Sequence, residues 1–95
     1  MKTFYFKEKD NIYKIFQVID KLPKKQKEVI FYINVNNDFF KNKWWLKLVL
    51  EKASEKNLNI VFVIENNKQE ALMKLFQVNY VWREVPMIKK IMKFF

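Results

Sequence analysis

Glu28-Val29-Ile30-Phe31-Tyr32-Ile33-Asn34-Val35 decides the fold. Apolar side chains fall on both odd and even positions, and β-branched and aromatic residues favour the extended backbone. A strand of this kind suits a sheet covered on both sides. Asn59-Ile60-Val61-Phe62-Val63-Ile64-Glu65 repeats the pattern. Between the two runs, Asn36-Asn37-Asp38 reads as a turn, with Asp38 able to cap a helix. That helix is expected from about Phe39 to Lys56, with Asn57 as a left-handed cap where glycine is usual. Strand, helix and strand in this order form a parallel crossover, which is right-handed in nearly all proteins.

The same alternation extends to both ends. Thr3-Phe4-Tyr5-Phe6 reads as a short strand, and Asp10 as the cap of a following helix. Ile12, Ile15, Phe16, Ile19 and Leu22 mark one apolar face of that helix, and Pro23 ends it. Asn66-Asn67 turns into a third helix with Ala71, Leu72, Leu75 and Phe76 inward, followed by a weaker strand from Asn79 to Trp82. Pro86 opens a basic amphipathic segment, 86–95. As a helix it carries Ile88, Ile91, Met92 and Phe95 on one side and Lys89, Lys90 and Lys93 on the other. The expectation is one α/β domain over residues 1–95, in βαβαβαβα order, with a mostly parallel four-stranded sheet and helices on its faces.

Composition narrows the chemistry. The chain is 51% apolar and 18% aromatic. A disordered chain has far fewer such residues. There is no Cys, so disulfides and thiolate metal sites are excluded. There is no His, the commonest general base. There is no Gly, so the glycine-rich loops that cradle phosphates are excluded and turns fall to Asn and Asp. Ser54 and Thr3 are the sole hydroxyl nucleophiles besides tyrosine, and Ser54 falls late in a helix with no base beside it. Neither catalytic groups nor a cofactor or metal are assigned. Asp38 and Glu65 are the carboxylates that would hold a hard cation at the strand ends. Helix capping and loop solvation are the favoured roles for them.

The net charge is +9, which points to nucleic acid, an anionic membrane surface or an acidic partner. All the basic residues except Arg83 are Lys, while Asn is abundant and Ala and Pro are scarce. That bias also follows from an AT-rich genome, and a dedicated nucleic-acid reader uses more Arg. No cleavable leader and no apolar run near ~20 residues is seen. A soluble chain in a cell or organelle matrix is therefore expected rather than a secreted one.

The second helix carries more apolar side chains than one face needs. At 100° intervals around the axis, Phe39, Leu46, Val49, Leu50 and Ala53 share a face, whereas Trp44, Trp45 and Leu48 lie elsewhere beside Lys41, Lys43, Lys47 and Lys52. Trp beside Lys fits an aromatic-anchored protein interface and also base stacking on a basic surface. Alternatively, Trp45 folds over the sheet edge and Trp44 packs under the C-terminal segment. The candidate partner-binding set is Trp44, Trp45, Leu48, Lys41, Lys47 and Lys52, joined by Ile91, Phe94 and Phe95 of the tail. The tail is expected to cover the domain's own core, to contact a membrane surface or to meet a partner.

The stretch Glu28 to Val78 resembles a small α/β domain of uncharacterised proteins from candidate-phylum bacteria. Asn36-Asn37-Asp38-Phe39-Phe40-Lys41-Asn42, Leu46 to Ala53, Ile60 to Ile64 and Ala71-Leu72 carry the resemblance, with Asp10-Asn11-Ile12 upstream. It implies a fold and no activity. The same stretch is more remotely similar to STAS domains, which often bear a phosphorylatable Ser or Thr at this helix start. Here Asn36, Asn37 and Asp38 hold that place, which argues against a phosphoswitch. A non-catalytic assembly or adaptor module in a larger complex is the leading expectation. An RNA- or DNA-contacting protein, such as a ribonucleoprotein or organellar ribosome component, is the alternative.

Overall fold

The computed structural model describes residues 2–83. Strands β1 (Lys2–Phe6), β2 (Glu28–Ile33), β3 (Asn59–Ile64) and β4 (Tyr80–Trp82) alternate with helices α1 (Ile12–Lys21), α2 (Lys43–Glu55) and α3 (Asn67–Leu75). A 3-10 turn at Asp38–Lys41 precedes α2. The four strands are all parallel and stand in chain order, β1-β2-β3-β4. The alternating α/β order and the parallel sheet match the sequence reading. Among the described residues no helix is long and apolar enough to cross a membrane.

Chain-order strands with right-handed crossovers place every connecting helix on the same side of the sheet. Burial follows that rule. Register aligns Phe4 with Phe31, Phe31 with Phe62 and Phe62 with Tyr80, so these rings lie in one row across the sheet. Phe6, Val29, Ile33, Ile60 and Ile64 share that face and form one core with Ile15, Ile19, Leu46, Val49, Ala53 and Met73 from the helices. Phe31 is fully buried, with Phe6 5.0 Å, Phe4 5.9 Å and Phe62 6.1 Å away in edge-on packing.

Thr3, Tyr5, Ile30, Tyr32, Val61, Val63 and Val81 occupy the opposite face, and none belongs to that core. The two-faced apolar pattern of β2 and β3 is thus met by helices on one face among the described residues. The expected fourth helix, Met87 to Phe95, lies outside them. Polar groups tie the carboxyl end of the open face. The Tyr32 hydroxyl donates to Glu65 at 2.6 Å, and the Arg83 guanidinium pairs with the same carboxylate. Burial, then the Glu65 hydrogen bond, pushes the Tyr32 phenol up to about 12. Burial also pulls Glu65 upward, but the Tyr32 hydroxyl and Arg83 outweigh it and hold the carboxyl below its ordinary 4.5.

Asparagine, not aspartate, caps the helices. Asn11 accepts from Lys14 N at 3.2 Å, so α1 begins one residue after Asn11 rather than directly on Asp10. Asp10 instead closes the preceding turn, accepting from Lys7 N at 2.6 Å and pairing with Lys14. The backbone hydrogen bond from Lys7 leads the causes that lower its pKa. Asn37, not Asp38, caps the 3-10 turn. The second helix is not continuous from Phe39, because Asn42 has an extended backbone and its side chain accepts from Trp44 N. Asn57 does take the left-handed cap, with φ 54°, and Gln77 does so after α3 with φ 56°. Lys56 reaches from the end of α2 to three carbonyls ending α1, those of Ile19, Asp20 and Leu22, at 2.7, 2.9 and 2.9 Å.

Candidate functional site

Two crossovers leave the carboxyl end of the sheet side by side. From β2 the chain passes through the 3-10 turn into α2, and from β3 it passes through Glu65 and Asn66 into α3. The starts of these helices flank a groove of about 680 Å³. Val35, Phe40, Trp44, Ala71, Leu72 and Leu75 give it apolar walls. Lys41, Lys43 and Lys68 supply charge, and no Asp or Glu among the described residues lines it. The N-cap residues of both helices, Asn42 and Asn66, also line it. The positive ends of two helix dipoles therefore add to the lysines.

Asn37 fixes one side of this site. Its side chain is buried and fully used. Nδ2 donates to the carbonyls of Lys7 and Asp10 at 2.7 and 2.8 Å, while Oδ1 accepts from Phe39 N at 2.8 Å. One amide thus joins the loop after β1 to the 3-10 turn that carries Phe40 and Lys41. Phe39 stacks on Phe62 at 6.0 Å and anchors the turn in the core.

Gln69 fixes the other side. Its residue is only 3% exposed. Oε1 accepts from Glu65 N at 2.7 Å, and its own backbone N–H donates to the cap residue Asn66. The first of these bonds assigns the amide's orientation and leaves Nε2 as the free end. Nε2 is buried without a hydrogen-bond partner among the described residues. A buried unpaired donor costs about 1–3 kcal/mol, which the bond from Glu65 N partly offsets. Farther along α3, the Tyr80 hydroxyl donates to Glu70 at 3.0 Å, which raises the phenol's pKa and ties the helix to β4.

The candidate residues read from sequence separate. Trp44 is 56% exposed, and two ammonium groups lie over its ring, Lys43 at 5.5 Å and Lys47 at 5.3 Å from the centroid. Leu48, one turn on, is 47% exposed. Trp45 packs against the domain's own core. Lys52 pairs with Asp20 at 2.9 Å and lies over Phe16, so it serves the α1–α2 contact. Lys41 lines the groove while pairing with Asp38 at 3.0 Å. Ile91, Phe94 and Phe95 lie outside the described residues. Asp38 pairs with Lys41 and Glu65 with Arg83, and no group of three carboxylates gathers among the described residues.

Sequence reasoning misses Phe40, Lys68, Gln69 and Leu75 as site residues. Leu75, inward by its spacing, is in fact 65% exposed. Met73 and Gln69 turn to the sheet instead, with Leu72 and Phe76 half-buried beside them. Gln69 takes an inward position because its amide must accept from Glu65 N at the end of β3. That requirement rotates α3 and pushes Ala71 and Leu75 outward.

No protein-family model, curated protein or solved structure matches the chain.

Proposed function

We propose that this chain is a non-catalytic docking module that holds a protein partner through the groove between α2 and α3. One observation carries the reading. Trp44 and Leu75 line the same groove, and each is more than half exposed. Large apolar side chains left in water around a concavity are the usual anchors of an interface. Leu48 and Lys47 extend the surface along α2. The lysine distribution favours a protein over a nucleic acid. Lys21, Lys24, Lys25 and Lys27 sit at the amino end of the sheet, and Lys7, Lys41, Lys43 and Lys68 at the other. Among the described residues, no single face therefore gathers the lysines along one track for a phosphate backbone.

The test is the size of the native assembly. Untagged wild-type protein in its own extract should run in a complex well above its 11.8 kDa mass. Trp44→Ala and Leu75→Ser should each return it to monomer size with unchanged melting temperature. A wild-type chain that runs as a clean monomer would sink the proposal.

A further inference from the structure

Resting on that docking reading, we infer that the groove recognises an acidic peptide segment carrying one or two large apolar side chains. Two features of the groove converge on this chemistry. Lys41, Lys43 and Lys68 line it without any carboxylate among the described lining residues. Lys43 and Lys68 have no carboxylate within salt-bridge distance among the described residues, so their charge is open to a partner. Phe40, Trp44, Leu72 and Leu75 offer apolar walls for a side chain of matching size.

A peptide supplies all the complements at once. Its carboxylates meet the lysines and the helix N-termini, and its apolar residue fills the walls. A bare phosphate chain would leave the apolar walls wet. A purely apolar segment would leave the lysines unpaired.

The full-length chain is titrated against a fluorescein-labelled, end-capped decapeptide of Glu and Asp with Leu-Phe at its centre. Binding is followed by anisotropy at about 0.15 M salt, where the screening length is about 8 Å. Two control peptides replace all acids by Lys, or Leu-Phe by Ser-Ser. The acidic peptide should bind at least tenfold more tightly than either control. Lys68→Glu should lose tenfold or more, and its added carboxylate in the first turn of α3 favours folding. Lys43→Glu, at the first position of α2, should also lose about tenfold.

Equal binding of the acidic and Lys peptides overturns the inference. So does unchanged affinity in both variants. Tighter binding of an oligothymidylate, abolished by Lys68→Glu, overturns it in favour of nucleic acid. Dimerisation that Trp44→Ala removes overturns it in favour of a second copy. If the peptide fails while Trp44→Ala still dissolves the native complex, the docking reading stands and this partner chemistry is wrong.

Discussion

Replacing Asn37 by Ala removes three hydrogen bonds from a side chain that is 2% exposed. The cap to Phe39 N is worth ~1 kcal/mol. Each bond from Nδ2 to a carbonyl adds ~1 kcal/mol net. The sum is ~3 kcal/mol, a large share of the ~5–14 kcal/mol expected for a domain of this length. At ~4–8 °C per kcal/mol, the melting temperature should fall by ~12–24 °C. Asn37→Asp separates the contributions. Aspartate caps as well as asparagine, so a role limited to capping predicts a near-neutral change. The observed geometry instead puts its second oxygen against two carbonyls at 2.7 and 2.8 Å, so Asp should cost at least as much as Ala. Urea melts of the three proteins, followed by far-ultraviolet circular dichroism, give both values. A loss under ~1 kcal/mol for Ala, or an Asp variant as stable as wild type, would refute the account of Asn37 as a donor joining two loops.

Lys56→Met keeps the aliphatic stem but strips the donor from three carbonyls at the end of α1. It should cost ~2–3 kcal/mol in a urea melt, while Lys47→Met should change stability by less than ~0.5 kcal/mol. Glu65→Gln should destabilise the fold, by an amount that water reduces because Arg83 is half exposed. Since Glu65 is held below 4.5 in the fold, its share of stability is present above that pH and lost as pH falls below it. The variant's stability should therefore vary less with pH in acid. The raised Tyr32 phenol acts with the opposite sign: its share is present below pH 10 and is lost as pH rises from 10 towards 12. Tyr32→Phe should not show that loss. Gln77 has φ 56°, a conformation that only glycine takes without a Cβ penalty. Gln77→Gly should accordingly gain ~0.5–1 kcal/mol, and an unchanged melt would count against the backbone assignment.

The strands are legible as runs of β-branched and aromatic residues. Which face packs is not, because both faces are apolar; Val29, Phe31 and Ile33, then Ile60, Phe62 and Ile64, turn to the core. The inward stripe of α2 is plain, with Leu46, Val49 and Ala53 buried and Leu50 half-buried, while Phe39 is buried from the 3-10 turn before it. The caps are harder, because Asp and Asn are equivalent acceptors at a helix start. Only the surrounding carbonyls reveal that position 37 must also donate. The phase of α3 escapes a sequence reading because a polar residue faces the sheet. Gln69 turns inward to serve one backbone N–H, which no hydrophobic pattern records. A helical wheel sets Trp44 and Trp45 both off the inward face. Which indole is covered depends on what stands beside α2, and the core takes Trp45 while the groove leaves Trp44 in water. The groove itself joins residues from the β2–α2 crossover and from α3. These stretches are distant in the chain, and their proximity follows from strand order.

The most direct measurement is site-specific photo-crosslinking in the native cell, with benzoylphenylalanine placed at Leu75 in the groove or at Tyr13, an equally exposed aromatic position on α1. The account predicts one discrete protein adduct from position 75 that Trp44→Ala abolishes, and none from position 13. Equal adducts from both positions, or an adduct at 75 indifferent to Trp44, would contradict it.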